Sequence, residues 1–398
     1  MHIVYVTGRF AEDTKEILQG MPNYVYKIAA TMARLGHQVT IVMSGKKKRV
    51  WNYKGIPVYS IRTPETVIMR NKAADAILKP ILRDIEFNKA LKLVNENKEI
   101  TIVQYIGWFG DGVLYNRKYP SVLRLSTYLK YQLSSVYPRW YLEITSFYER
   151  MAAKNFNGIL VPSKAIGDYY AKEVKRNVTI METPFEYELT GKEDFSLYDR
   201  KLSNTKYFLF FGRISIDKGV GTIARCIENI LINNPNYIFC FAGAVGQING
   251  TSAIHFLKKS AGTQKNRVVY LGNLKHEQLY PVIRNAECII MPSLMDNLPN
   301  ACLEAMYLNG IVIGTRGASF DEIFSDGRGG FLIDIDDSEM LLEKINYVVH
   351  MDEHAKTQMR LEAKKILSRY SYIRVGRKME KYYQYINRYA GKKCTNNE

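Results

Sequence analysis

Residues 291–306 read MPSLMDNLPNACLEAM and set two carboxylates, Asp296 and Glu304, eight positions apart around an Asn-Leu-Pro-Asn turn. Carboxylates are poor ligands for phosphate but good acceptors from sugar hydroxyls. The preceding run CIIMPS reads as a strand. Asp296-Asn297 offers a helix cap, Pro299 is tolerated in a first helical turn, and Asn309-Gly310 closes a helix over about 299–308. Eight helical positions rise about 12 Å, an upper guide because the first of them form a turn. That is the length scale of a sugar diphosphate. One acid could hold a ribose and the other a sugar, while backbone N–H groups at the helix start and nearby cations meet the diphosphate between them.

The cations come from FFGRISIDKGV. A buried strand ends at Gly212, Arg213 follows at once, and Lys218-Gly219 opens a helix. A guanidinium can fork onto phosphate oxygens, an ammonium adds a compact charge, and the helix start adds its partial positive charge. Two solvated surface charges are the blander alternative. The spacing is not that of a Walker loop, so ATP hydrolysis is not indicated. An earlier loop, Gly20-Met21-Pro22-Asn23, puts a glycine just ahead of a helix, where backbone N–H groups could approach a phosphate or a sugar. It lacks the G-x-G-x-x-G pattern and reads equally as a plain strand-to-helix connection. Tyr105 to Asp111, with Trp108, and the stretch from Tyr128 to Tyr141 are dense in aromatics that could stack on sugar faces or fill a core. Asp334-Ile335-Asp336 looks like a D-x-D metal signature but precedes a helix, where capping is the simpler role. His350 and His354 do not form H-E-x-x-H. No metal site is expected.

Something must hold these loops in place. Short β-rich runs (HIVYVTG, HQVTIVM, YSIRT, ITIVQYIG) alternate with helical patterns, and the second half repeats the scheme with KYFLFFG, YIFCFAG, VVYLGN, CIIMPS, IVIGT and FLIDI. Continuous apolar strands imply parallel sheets covered by helices on both faces. The polar stretch 182–205 reads as a linker, so the chain divides into doubly wound domains at 1–190 and 200–370. In such sheets ligands bind beyond the carboxyl ends of the strands, at a crevice between the lobes. A length of 398 residues suits two cores. No run approaches the roughly 18 apolar residues of a membrane span, and the start of the chain lacks a secretory signal, so the expected location is the cytoplasm. The five cysteines show no metal-ligand spacing and read as reduced structural thiols. A net charge of +17 calls for an acidic partner, yet no nucleic-acid-binding signature accompanies it. Residues 68–82 mix Arg70, Lys72 and Lys79 with apolar side chains, just ahead of Arg83. That pattern suits either an anionic membrane surface or a solvated amphipathic helix.

Together RLGHQVTIV, VPSKAIGDYY, FFGRISIDKGV, VVYLGN, MPSLMDNLPNACLEAMYLNGIVIGTRGASFDEI and GGFLID resemble the family-4 retaining glycosyltransferases of the GT-B fold. The resemblance implies two Rossmann-like domains facing a central cleft, the first binding the acceptor and the second a nucleotide-diphosphate sugar. It also implies a C-terminal helix at about 372–392 that crosses back to the first domain. Arg213 and Lys218 would bind the donor diphosphate with the backbone of Asn297, Leu298, Pro299 and Asn300. Glu304 would take the ribose hydroxyls, Gly272, Asn273 and Leu274 would lie near the base, and Asp296 would handle the donor sugar. Asp296 falls on the first acid of the family's E-x7-E pattern, one methylene short. Ser126 and Gln104 stand where the family commonly has histidines, which removes a first-domain histidine base and shifts the chemistry to leaving-group stabilisation. The acceptor side would involve Tyr105, Trp108, Ser126 and Tyr128. No metal cofactor is implied. The expected reaction is sugar transfer to a hydroxyl of a glycan or lipid-linked acceptor in cell-envelope polysaccharide assembly, at the inner face of a membrane. A phosphorylase or sucrose-synthase-like enzyme and a non-catalytic nucleotide-sugar binder are the alternatives.

Overall fold

A computed structural model describes residues 1–13, 20–62, 72–126, 137–185 and 192–394. The chain folds as two units, one made of residues 1–184 and 370–398, the other of 185–369.

The first unit is built on eight strands: β1 (His2–Thr7), β2 (Gln38–Gly45), β3 (Arg49–Tyr53), β4 (Ile56–Arg62), β5 (Ile102–Ile106), β6 (Ser121–Arg124), β7 (Gly158–Val161) and β8 (Thr179–Ile180). Their spatial order is β3-β4-β2-β1-β5-β6-β7-β8, and all pairings are parallel except β3 with β4. Every residue of β1 is buried because helices cover both faces, and the period-2 alternation of side chains divides it cleanly. Ile3 and Tyr5 join one core with Val25, Ile28 and Met32 of helix α1 (Met21–Arg34). Val4 and Val6 join the other with Phe87, Leu91 and Val94 of α2 (Lys72–Asn97). Helices α3 (Arg139–Ala153) and α4 (Lys164–Val174) complete that second face.

The second unit opens with a short helix, α5 (Ser196–Lys201), inside the stretch that reads as a linker. Its sheet contains β9 (Lys206–Phe211) and β10 (Tyr237–Ala242); a small hairpin, β11 (Gln247–Ile248) with β12 (Thr251–Ser252), stands apart. The sheet continues with β13 (Val268–Gly272), β14 (Cys288–Met291), β15 (Val312–Thr315), β16 (Ser325–Asp326) and β17 (Gly329–Ile333). The order is β13-β10-β9-β14-β15-β17-β16, all parallel. Around it lie α6 (Val220–Asn233), α7 (Ala253–Ser260), α8 (His276–Arg284), α9 (Asn300–Tyr307), α10 (Ser338–His350) and α11 (Glu353–Leu367). Setting aside the edge strands, both sheets follow the 3-2-1-4-5-6 order of dinucleotide-binding folds, with the order reversing between β1 and β5 and between β9 and β14.

Helix α12 (Tyr372–Cys394) belongs to the first unit, where it packs on α1. A Cβ on Gly376 would meet Thr31 and Leu35 side-chain carbons at 2.6 Å, so glycine is what lets the two helices approach. His37 pairs with Glu380 at 3.0 Å and Lys378 with Glu182 at 2.8 Å. At the centre of this packing, Gln104 donates its amide N–H to the Tyr24 hydroxyl at 3.0 Å and accepts from the Tyr383 hydroxyl of α12. Gln104 is fully buried, and its amide can give and accept at once, which suits a position between two tyrosines.

On the other face, Glu149 of α3 is buried with the Tyr170 hydroxyl donating to it at 3.1 Å, and burial pushes its carboxyl up to about 8. The folded chain therefore holds a proton that the unfolded chain, with a carboxylate near 4.3, gives up. Stability contributed by this proton is present at low pH and is lost as pH rises through about 8. Glu149→Gln keeps an acceptor for Tyr170 without a titrating proton. The decline of the melting temperature between pH 5 and pH 8 is expected to become shallower in this variant, as thermal unfolding followed by circular dichroism would show. An unchanged slope would mean that Glu149 is already ionised in the fold.

Candidate functional site

In the second unit the site is built where the strand order reverses, from the loops that leave β9 and β14. β9 ends at Phe211, and Gly212 takes φ 119°, turning the chain so that Arg213 emerges exposed. A 3-10 turn over Ile216–Lys218 follows. It ends at Gly219, whose φ of 79° belongs to the left-handed region and which starts α6. A Cβ there would fall inside the Pro292 carbonyl group of the loop after β14, so the two loops touch through the missing side chain. The Leu294 N–H donates to the Asp217 carbonyl at 3.0 Å, a second link between them.

This junction brings two of the expected residues together directly: Lys218 Nζ lies 2.5 Å from Asp296 Oδ2. One of three ammonium donors is engaged, and the others diverge from it. Arg213 pairs with the Asp217 carboxylate, which also accepts from the Ser215 hydroxyl at 2.6 Å. Asp296 does not cap α9. Its Oδ1 accepts from the Asn297 N–H at 2.9 Å, its carbonyl accepts from Ser319 Oγ at 3.2 Å, and the residue at the helix start is Pro299. One carboxylate oxygen is thus held by the turn ahead of the helix and the other by Lys218. Leu298 and Pro299 are buried, Asn297 is half-buried and Asn300 exposed. Glu304 stands half-buried on the second turn of α9. Gly272 (φ 101°) ends β13 in open space, followed by an exposed Asn273 and a half-buried Leu274.

Asp334 and Asp336 are not helix caps either. Asp334 pairs with Arg316 at 3.1 Å, Asp336 accepts from Thr222 Oγ1 at 2.7 Å, and Asp337 caps α10. Among the described residues no group of His, Cys, Asp and Glu side chains could hold a metal ion.

The first unit has its own concave site at the equivalent reversal. A cavity of about 560 Å3 is lined by Gly8, Arg9 and Phe10 after β1, by Ser44, Gly45 and Lys46 at the end of β2, and by Trp108 and Phe109 after β5. Ala76, Lys79, Pro80 and Arg83 of α2 and Tyr137, Tyr141 and Thr145 at the start of α3 complete it. Trp108 packs edge-on against Phe109, with ring centroids 4.9 Å apart. Tyr105 corrects the expectation of a sugar-facing ring. Its side chain points from β5 into the core, fully buried against Phe87, Tyr115 and Phe156, and no face is left for a ligand. Ser126 accepts from the buried Arg124 Nε at 3.1 Å, and Arg124 also lies 3.9 Å over the Tyr24 ring. Gly20, with φ 60°, precedes α1 in open space. Tyr128 lies outside the described residues, as does Arg70.

In the basic segment 68–82, Lys79 lines the cavity, and Arg83, which follows the segment, is 5% exposed, so Arg83 is not a solvated surface cation. The sequence carried a signal for this: Ala76, Pro80, Arg83 and Phe87 fall on one helical stripe, so a charge sits on the buried face. Phe109 and Tyr137 lie in the two aromatic stretches, whereas for Arg9 and Lys46 only the fold shows a place in the cavity.

Two doubly wound units of this order, each with a site at its reversal, define the GT-B glycosyltransferase architecture. The family model for glycosyl transferases group 1 matches residues 197–366, and that for glycosyltransferase family 4 matches residues 18–185. The chain belongs to this family of glycosyltransferases. Its curated relatives include the phosphatidylinositol N-acetylglucosaminyltransferase GPI3 subunit of Saccharomyces cerevisiae, 21% identical over 320 residues, which are 77% of this chain and 67% of that protein. An uncharacterized 41.2 kDa protein in the cps region of Klebsiella pneumoniae is 23% identical over 233 residues, 56% of this chain and 60% of that one. Among solved structures, sucrose-phosphate synthase of Thermosynechococcus elongatus superposes with a TM-score of 0.73 at 14% identity, covering 97% of this chain and 99% of its own. Anabaena HepE in complex with UDP-glucose gives 0.67 at 15% identity, covering 96% and 98%.

Gly219→Ala is the sharpest test of the loop junction. Left-handed strain of about 1–3 kcal/mol adds to the collision with Pro292. The variant is expected to unfold at clearly lower urea than the wild type, while Gly221→Ala, two residues on in α6 with no positive φ and nothing nearer its Cβ than 3.9 Å, causes no such loss. Equal shifts would contradict the junction.

Proposed function

We propose that the protein is a retaining hexosyltransferase that moves a sugar from a nucleotide-diphosphate donor to an acceptor hydroxyl. The observation that carries this reading is the junction of Arg213, Lys218 and Asp296 where the strand order of the second sheet reverses, on loops joined by Gly219. Arg213 and Lys218 would meet the diphosphate with the backbone of 297–300, Glu304 the ribose hydroxyls, and Asp296 the donor sugar. Gly272, Asn273 and Leu274 would lie beside the base. The family membership and the UDP-glucose bound by HepE support a nucleotide-sugar donor.

In the reaction the bond between the anomeric carbon and the diphosphate breaks and a bond to the acceptor oxygen forms on the same face. The acceptor's proton passes to a phosphate oxygen of the leaving group. No side-chain base is needed, in keeping with Gln104, whose amide is occupied by Tyr24 and Tyr383. What the chain supplies is positive charge set in place where negative charge grows on the departing diphosphate, an effect that needs no reorganisation at the moment of bond breaking. Metal is not required by this scheme.

The acceptor is a glycan or a lipid-linked sugar of a cell-envelope polysaccharide, taken up through the first unit at the cytoplasmic face of a membrane. The relative from a cps region and the one named for a phosphatidylinositol substrate support that choice. No helix among the described residues is long and apolar enough to cross a membrane, so contact with the bilayer would be peripheral.

Thermal-shift screening against UDP-, GDP-, ADP- and dTDP-sugars identifies the donor, since a ligand that binds only the folded state raises its melting temperature. With that donor, Arg213→Ala and Lys218→Ala are each expected to lower kcat by about 100- to 1,000-fold. Asp296→Ala should chiefly reduce turnover and discrimination among sugars. Proton NMR of the product should show the donor's anomeric configuration retained. An inverted product, or full activity in the Arg213 and Lys218 variants, would overturn the reading.

A further inference from the structure

The first unit's cavity is more cationic than sugar binding requires. Its lining contains Arg9, Lys46, Lys79 and Arg83 against one carboxylate, Glu12. Arg83 is the unusual member. It is 5% exposed, and taking a guanidinium out of water is costly unless it is paired and hydrogen-bonded. Its Nη2 pairs with Asp111 and donates to the Trp108 carbonyl at 3.3 Å. Its buried Nε has no acceptor among the described residues.

Asp111 in turn sits close behind Gly8, where a Cβ would come within 2.9 Å of its Oδ2 and 3.5 Å of Arg83 Nη1. Neighbouring Asp84 accepts from the Gly112 and Leu114 N–H groups at 2.8–3.0 Å and is likewise buried. Burial pushes Asp111 up to about 6, against the pull of Arg83, and Asp84 up to about 7, with the Asp111 charge adding to the effect. The Asp111 carboxyl meets the guanidinium at Nη2, and Nε is left without an acceptor among the described residues. A fixed, incompletely neutralised fork at the base of a cavity, with two lysines and a second arginine around the wall, matches an anion with several oxygens. The aromatic wall of Trp108, Phe109 and Tyr141 leaves a flat apolar face beside it, suited to a sugar ring.

We propose that this cavity selects acceptors that carry a phosphate group, with Arg83 as its fixed ligand and Lys46 and Lys79 as the cations that close on it. The proposal rests on the glycosyltransferase reading only in naming the ligand an acceptor; phosphate recognition stands without it. The chemistry is shared by a phosphodiester headgroup in a bilayer and by a soluble sugar or polyol phosphate.

The test is equilibrium binding followed by tryptophan fluorescence, with glycerol 3-phosphate as the soluble probe and phosphatidylglycerol vesicles, against phosphatidylcholine vesicles, as the membrane probe. Arg83→Lys preserves the charge facing Asp111 but loses the fork. Lys46→Gln and Lys79→Gln remove cations from the rim, and Lys47→Gln, an exposed neighbour outside the lining, controls for bulk charge. Glycerol is the uncharged control ligand. Saturable binding of either phosphate probe, weakened about tenfold or more by Arg83→Lys and several-fold by Lys46→Gln and Lys79→Gln but not by Lys47→Gln, is the expected result. Preference for glycerol 3-phosphate or for the vesicles assigns the source. Absence of saturable binding to both probes, or equal affinity across all variants, would overturn the proposal. Should Arg83→Lys fail to fold, the two lysine variants carry the test alone. Donor-induced thermal shifts measured on the same proteins report the second unit. Their loss in the wild type would sink the transfer reading while leaving phosphate recognition standing.

Discussion

Both sheets reverse their strand order beside the strand that opens each unit, and everything chemical in the protein depends on that reversal. On either side of it the connecting helices leave for opposite faces of the sheet, so two loops part and expose a gap at the strand ends. In the second unit the gap is narrowed again. Gly219 and Pro292 bring the loops after β9 and β14 into contact that no other residue type would permit, and Lys218 and Asp296 meet across it. Local backbone geometry thereby sets a distance between two charged groups that are 78 positions apart in sequence.

The two sites use their cations differently. Arg213 is well exposed and Lys218 is partly so, which suits the proposed role of binding a large diphosphate and releasing it. Arg83 is locked behind apolar walls with a buried carboxylate at its back. Exposed ion pairs are worth little to stability, and a buried one is expensive to build. The first unit accepts that expense next to a cavity, where a preorganised guanidinium is useful.

Much of this was legible in the sequence because parallel sheets buried on both faces require unbroken apolar strands. HIVYVT, KYFLFF and CIIM announce themselves, and the loops following them can be searched for charge. Arg213, Lys218 and Asp296 were singled out in that way, and the fold sets Lys218 against Asp296. Asp296 misled as a helix cap because capping chemistry is identical whether the N–H served is the next residue's or a later one's. Tyr105 misled because it stands inside β5 and not in the loop beyond it, and a strand covered on both faces buries all its side chains. The cavity of the first unit was illegible as a whole. Its lining is drawn from five separate segments, and although the two aromatic stretches and the cations near Lys79 were visible singly, nothing in the sequence says that they share one cavity.

Helix α12 carries a consequence for biogenesis. A ribosome delivers the strands of the first unit early, yet the face that Met379, Tyr383 and Ile386 will cover stays open until the whole second unit has been made. The second unit is one uninterrupted insertion and can mature as soon as it clears the exit tunnel. The earlier-born half must wait with an uncovered apolar surface, which makes it the natural client of a holding chaperone during translation.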